Sequence, residues 1–212
     1  MSTETAGAGR VLWPFVGAMA AVVVLSNILV QYPVALRLGG LDLADLLTWG
    51  AFTYPFAFFV TDLANRRLGP GRARQVVLVG FALAVALSIA LATPRIAIAS
   101  GTAFLVAQML DVSVFDRLRA GAWWRAPLIS SILGSVVDTA IFFSLAFAGT
   151  FAFLDFGGDA GSLDFAVPFL GVGTSVPLWV SLAAGDLIVK AVVALALIGP
   201  YGVLRGRDAV WA

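Results

Sequence analysis

The chain contains no cysteine and no histidine, and its only glutamate is Glu4 near the amino terminus. Without cysteine there are no disulfides and no thiolate chemistry, and nothing can be inferred about redox compartment. Without histidine, serine and zinc hydrolytic mechanisms of the usual kinds lack their base or their ligands. Any membrane-embedded acid must therefore be an aspartate. Charge is scarce too: 12% of residues are charged and the formal net charge is +1, too little to argue for a nucleic acid partner. No G-x-x-x-x-G-K-[ST] loop is present, so the chain cannot hydrolyse ATP through that motif. The sequence calls for no metal and no cofactor, and shows no soluble domain, internal repeat or low-complexity tract.

What fills the chain is apolar. Of 212 residues, 61% are hydrophobic and mean hydropathy is +1.00, far outside soluble usage. About 20 apolar residues cross a hydrocarbon core, and a backbone in lipid must satisfy its own polar groups, so such runs read as helices. Six qualify, at roughly 11–31, 46–64, 76–92, 96–114, 127–149 and 176–200. The expectation is an all-α integral membrane protein, a single transmembrane domain over residues 1–212. The first run is longer than a signal-peptide core and carries Asn27 and Gln31, which reads as a retained helix.

Orientation follows from the basic residues. Ten arginines fall at the amino terminus (Arg10), in the second loop (Arg66, Arg67, Arg72, Arg74), in the fourth (Arg117, Arg119, Arg125) and in the tail (Arg205, Arg207). Only Arg37 and Arg95 lie on the other side. Both termini are expected in the cytoplasm, with the loop bearing Asp155, Asp159 and Asp164 and the flexible Gly157–Gly161 stretch outside. Trp13, Trp49, Trp123, Trp124 and Trp179 lie near span ends, where indoles prefer the interface.

Polar residues inside the spans form stripes at helical spacing. Asn27 and Gln31 share a face of the first; Tyr54, Phe58 and Asp62 of the second; Phe104, Gln108 and Asp111 of the fourth; Ser131, Ser135, Asp138 and Phe142 of the fifth; Trp179, Asp186 and Lys190 of the sixth. The third presents no amide or carboxylate. Asp138 and Asp186 fall near mid-membrane, where an ionised side chain is costly and faces protein or a wet cavity. Asp138 has no basic residue in its own helix, which favours a ligand role. Asp186 and Lys190, four apart, fit either an internal ion pair or a site. Asp62 fits a site or a partner for Arg66, Arg67 or the fourth-loop arginines, and Asp111 a site, a partner for Arg117 or a cap. Asn27 and Gln31 suit interhelical bonding or ligand contact. The small rows Ser130 and Gly134, Ser131 and Ser135, and Ala82, Ala86 and Ala90 read as close packing.

The segments "SNILVQYPV", "TWGAFTYPFAFFVTDLANRRLG", "RIAIASGTAFLVAQMLDVSVFDRLR", "WWRAPLISSILGSVVDTAIFFSLAF" and "DLIVKAVVALALIGPYGVL" resemble, in order and spacing, the queuosine precursor transporter family, also called the vitamin uptake transporter family. The likeness runs through nearly the whole chain except the tail and the loop at about 150–175. It implies a six-helix inner-membrane importer of 7-deazaguanine bases, the cyano and aminomethyl precursors of queuosine. Asn27 and Gln31 match the family's Ser-Asn…Gln, Thr61 and Asp62 its Thr-Asp, Gln108 and Asp111 its Gln-x-x-Asp, Asp138 and Thr139 its Asp-Thr, and Asp186 and Lys190 its Asp-x-x-x-Lys. With Tyr54, the implied substrate-binding set is Asn27, Gln31, Tyr54, Asp62, Gln108, Asp111, Asp138, Asp186 and Lys190. Ala107 replaces a usual Gly, and Ser135 stands where Asn is common, which removes one amide donor.

The expected partners are a small 7-deazapurine and the lipid bilayer, with no nucleic acid and with a homo-oligomer left open. Two rivals remain. A substrate-binding subunit of an energy-coupled vitamin or nucleobase transporter would dock a separate ATPase through Ala82, Ala86 and Ala90. An intramembrane aspartyl enzyme would pair Asp138 with Asp186.

Overall fold

The computed structural model describes residues 3–38, 41–156 and 163–206. The Gly157–Gly161 stretch with Asp159, and Arg207, lie outside the described residues, as do the side chains of Glu4 and Arg10. The helices in chain order are α1 (Thr3–Leu29), α2 (Gly50–Thr53), α3 (Pro55–Leu68), α4 (Pro70–Leu91), α5 (Pro94–Leu118), α6 (Arg125–Phe147) and α7 (Leu178–Leu204). Two small antiparallel hairpins, β1 (Arg37–Leu38) with β2 (Leu41–Asp42) and β3 (Ala166–Pro168) with β4 (Ser175–Pro177), fold the connections. This is an all-α, multi-pass membrane protein. Large apolar side chains such as Ile89, Val192, Leu195 and Val203 stand exposed along its helices, as suits a lipid solvent.

Among the described residues five helices are long and apolar enough to cross a membrane: α1 over Leu12–Leu29, α4, α5, α6 and α7. The expected second span, 46–64, is displaced and divided. Residues 46–49 belong to a loop, held by a bridge of Pro33 with Thr48 and by Val34 N–H donating to the Leu47 carbonyl at 2.9 Å. Helical backbone then runs from Gly50 to Leu68 with a break at Pro55, which has no N–H to give the Ala51 carbonyl. The far end extends past Ala64 through Arg66 and Arg67 to Gly69, whose φ of +83° ends the helix. Likewise α4 begins at Pro70, six residues before its expected start, because a proline at the first helical position loses no needed donor. Pro200 lies within α7 and does not end it.

Every other helix touches α3. It is the central element, with Pro55, Ala57, Phe58 and the run Val60–Asn65 all buried. Two tight approaches set its depth. A Cβ on Gly134 of α6 would lie 2.6 Å from the Phe58 ring, so only glycine lets α6 close on α3 there. On the other flank a Cβ on Gly80 of α4 would lie 2.6 Å from Met19 of α1.

One end of the bundle is basic. Arg66 Nη1 donates to the Arg119 carbonyl at 2.8 Å, Arg67 donates to the Leu204 carbonyl, and the Arg205 guanidinium stacks 4.9 Å from the Trp123 ring. At the opposite end the fully buried Arg95 ties α5 to α6. Its Nε and Nη2 donate to the carbonyls of Leu145 and Ala148 at 2.8 and 2.5 Å, and Nη1 pairs with Asp155 at 3.2 Å. These carbonyls belong to the last turn of α6, where no intrahelical donor is left. Near them Asp164 accepts from the Gly149 N–H and from the Trp179 indole, at 2.6 and 2.9 Å.

Candidate substrate site

The polar side chains of α3, α5, α6 and α7 meet in rungs along α3. The first rung lies where Pro55 interrupts the helix. Tyr54 turns toward α6, and its hydroxyl donates to Asp138 Oδ1 at 3.0 Å. Lys190 Nζ donates to Asp138 Oδ2 at 2.7 Å, to Asp186 Oδ2 at 2.6 Å and to Thr139 Oγ1 at 3.2 Å. Thr139 in turn donates to Asp186 Oδ2 at 2.7 Å, and the ammonium lies 5.1 Å from the Tyr54 ring centre. Asp138 and Lys190 are each 4% exposed. Two carboxylates thus share one cation in a nearly dry interior, and each keeps a hydroxyl donor besides. Lys190 is the only lysine in the chain.

Further along α3, Thr61 donates to Gln108 Oε1 at 2.7 Å. Asp62 accepts from Ser130 at 3.1 Å and Ser131 at 3.0 Å, and Asn65 donates to the Val112 carbonyl at 2.9 Å. Asp111 is fully buried in the same layer, beside the Thr61–Gln108 and Asn65–Val112 bonds. Neither Asp62 nor Asp111 forms a salt bridge among the described residues, so the arginine partners read from the sequence are not theirs in the folded chain. Arg66 instead reaches across to α5, and no donor satisfies Asp111.

Two clefts flank this column. One lies between α1, α3, α4 and α5; Ser26, Asn27, Tyr54, Ser88, Ser100 and Phe104 are among its walls. The other, narrower, lies between α3, α6 and α7 beside Phe59, Asp62, Ser131 and Tyr201. Tyr54 belongs to the first cleft and also to the Asp138 rung, which makes its ring the partition between them. Phe58 and Phe104 hold that ring edge-on at 6.3 and 6.2 Å.

The structure therefore gathers Tyr54, Asp138, Asp186 and Lys190 in one rung, Asp62 and Asp111 in another, and Gln108 between them, with Asn27 on the cleft wall. Gln31 stands apart. Because α1 ends at Leu29, the shared helical face expected for Asn27 and Gln31 is lost, and Gln31 is exposed with its amide on the Asn27 carbonyl. Trp179 leaves the Asp186 row for Asp164, and Phe142 packs on Phe143 and Phe147. Sequence reasoning assigned Ser130 and Ser131 to packing and passed over Asn65; all three bond across helices, and each partner belongs to a different helix, which no local pattern reveals. The signal that was available is the solitary lysine. Ala82, Ala86 and Ala90, read as a packing row, are exposed, and the buried face of α4 is Gly80, Ala84 and Ser88.

A family model described as "Putative vitamin uptake transporter" matches residues 48–93 and 86–204. A "Probable queuosine precursor transporter" of Haemophilus influenzae is 37% identical over 153 residues, 59% of this chain and 65% of that protein. The "Queuosine precursor transporter" of Escherichia coli is 37% identical over 147 residues, 59% of this chain and 64% of the relative. A "Probable queuosine precursor transporter" of Bacillus subtilis is 30% identical over 132 residues, 49% of this chain and 58% of the relative. The chain spans less than two thirds of the length of these relatives. No solved structure matches the chain significantly.

Proposed function

The chain belongs to the vitamin uptake transporter family, and from that premise we propose that it imports queuosine precursors, 7-cyano- and 7-aminomethyl-7-deazaguanine, across a bacterial inner membrane with both termini in the cytoplasm. The names of the relatives support the substrate, and the arginine count supports the orientation. The observation that carries the reading is the Asp138 rung. A 7-deazaguanine presents an N–H and an exocyclic amino group on one edge, which a single carboxylate accepts together. Asp138 provides that carboxylate next to an aromatic-walled cleft.

Lys190 covers Asp138 Oδ2. Because the ammonium also holds Asp186 and Thr139, it can release Asp138 Oδ2 to a base without losing its own charge partner. Phe104 and Tyr54 offer flat faces for stacking, and Asn27 a neutral amide for the carbonyl side of the base. We assign substrate contact to Asn27, Tyr54, Asp138, Asp186 and Lys190. The Asp138 and Asp186 pair makes a poor aspartyl dyad, since an ammonium occupies the place of the shared proton, and we assign the chain no catalytic activity.

The test is uptake of labelled precursor into a host unable to synthesise it, with and without this chain. Uptake above the empty host is the expected result. A well-expressed chain that gives none refutes the proposal. Copurification with an ATPase subunit would point instead to an energy-coupled assembly.

A further inference from the structure

Asp62 and Asp111 present a chemical mismatch. An ionised carboxylate only accepts hydrogen bonds, and here two of them lie buried in one layer, bracketed by the Thr61–Gln108 and Asn65–Val112 bonds that join α3 to α5. Asp62 receives both nearby hydroxyl donors, from Ser130 and Ser131. Asp111 is 0% exposed, and neither of its oxygens has a partner. Among the described residues, Tyr201 on α7 shares the cleft beside Asp62, and α6 contributes only hydroxyls to the pair. Neither carboxylate forms a salt bridge among the described residues. What the pair lacks is one donor between two acceptors.

We propose that Asp62 and Asp111 hold a single exchangeable proton between them and that this proton is the coupling ion for transport. A proton suits the site better than a metal, because no group of three or more acidic or other ligating side chains gathers here among the described residues. The cleft between α3, α6 and α7 that Asp62 lines is the route we assign to the proton. Tyr54 immediately precedes α3 and Asp62 lies within it, so this helix joins the two sites. The coupling role rests on the transport reading above; the shared proton does not.

Two measurements separate these claims. Purified wild-type chain at neutral pH is expected to show the infrared carbonyl stretch of a protonated carboxylic acid, absent in both Asp62→Asn and Asp111→Asn. No such band in the wild type overturns the shared proton. In proteoliposomes free of sodium, with membrane potential clamped and the outside made acidic, one proton per substrate should hold labelled precursor about tenfold above equilibrium for each pH unit. Asp111→Asn should reach equilibration only. Accumulation by that variant equal to wild type, or accumulation that requires sodium, overturns the coupling role. A wild-type chain that shows the band yet exchanges no precursor without any gradient refutes the substrate reading and supports the shared proton.

Discussion

Replacing Lys190 with methionine tests how the ion triad distributes its energy. The ammonium pairs at 2.7 Å with Asp138 and 2.6 Å with Asp186. Removing one partner of a buried pair costs about 3–5 kcal/mol, because the other charge remains buried and uncompensated. Lys190→Met strands two carboxylates at once, so the upper end applies. Asp186→Asn strands nothing: Lys190 keeps Asp138, and the Asp186 side chain is already 14% exposed. Its cost should be nearer 1–2 kcal/mol, that of a weakened charged hydrogen bond. Asp138→Asn should behave similarly, since Lys190 keeps Asp186. At roughly 2–4 °C per kcal/mol for a chain of this size, Lys190→Met should melt about 10 °C below wild type in detergent and each Asn variant about 4 °C below. The triple variant, with no charge left to strand, should regain most of the Lys190→Met loss yet transport nothing. Equal costs for the three single variants, or a triple variant less stable than Lys190→Met, would refute the shared-cation account. Uptake restored in the triple variant would show that the triad is only a brace.

Asp138→Asn should reduce precursor uptake about 30-fold at near-normal expression, the equivalent of about 2 kcal/mol for one charge-assisted contact, read by initial uptake rates. Gly134→Ala places a methyl group 2.6 Å from the Phe58 ring and should destabilise by about 1–3 kcal/mol, partly recovered by Phe58→Leu, as followed by thermal melting. Arg95→Met uncaps the end of α6 and should lower the melting temperature, and Arg95→Lys should not restore it, because an ammonium cannot reproduce the fork that meets Leu145, Ala148 and Asp155 together. Single cysteines at Val172 and Arg72 in this cysteine-free chain should label from outside and inside respectively in whole cells; the reverse pattern would invert the proposed orientation.

The helices were legible because apolar run length in lipid leaves the backbone one solution. Their ends were less so: Gly69 and Pro70 mark the α3–α4 turn plainly, whereas the loss of residues 46–49 to a loop depends on Pro33 and Thr48 meeting across 15 positions. Of the site, the stripes on α3, α5 and α6 were readable from helical spacing, and Tyr54, Gln108 and Asp138 do face neighbouring helices. The pairing was not readable. Asp138 showed no cation within its own helix, and its cation proved to be Lys190, 52 positions away. Asp186 and Lys190 looked like a self-contained pair because spacing reports only neighbours on the same helix. Ser130 and Ser131 looked like packing because a hydroxyl gives no sign of the carboxylate it serves.

The rungs of α3 also set how this chain can drift. Thr61 meets a side chain on α5, and Asp62 meets side chains on α6, so a replacement at either end changes what the other can satisfy. Among descendants of such a chain, positions 61 and 108 should change in step, and 62 with 130 and 131. Asn65 differs: it binds the main-chain oxygen of Val112, which every amino acid possesses. Position 112 is thus free to exchange one apolar residue for another while Asn65 stays, and the third rung anchors α5 without leaving any trace of correlated change.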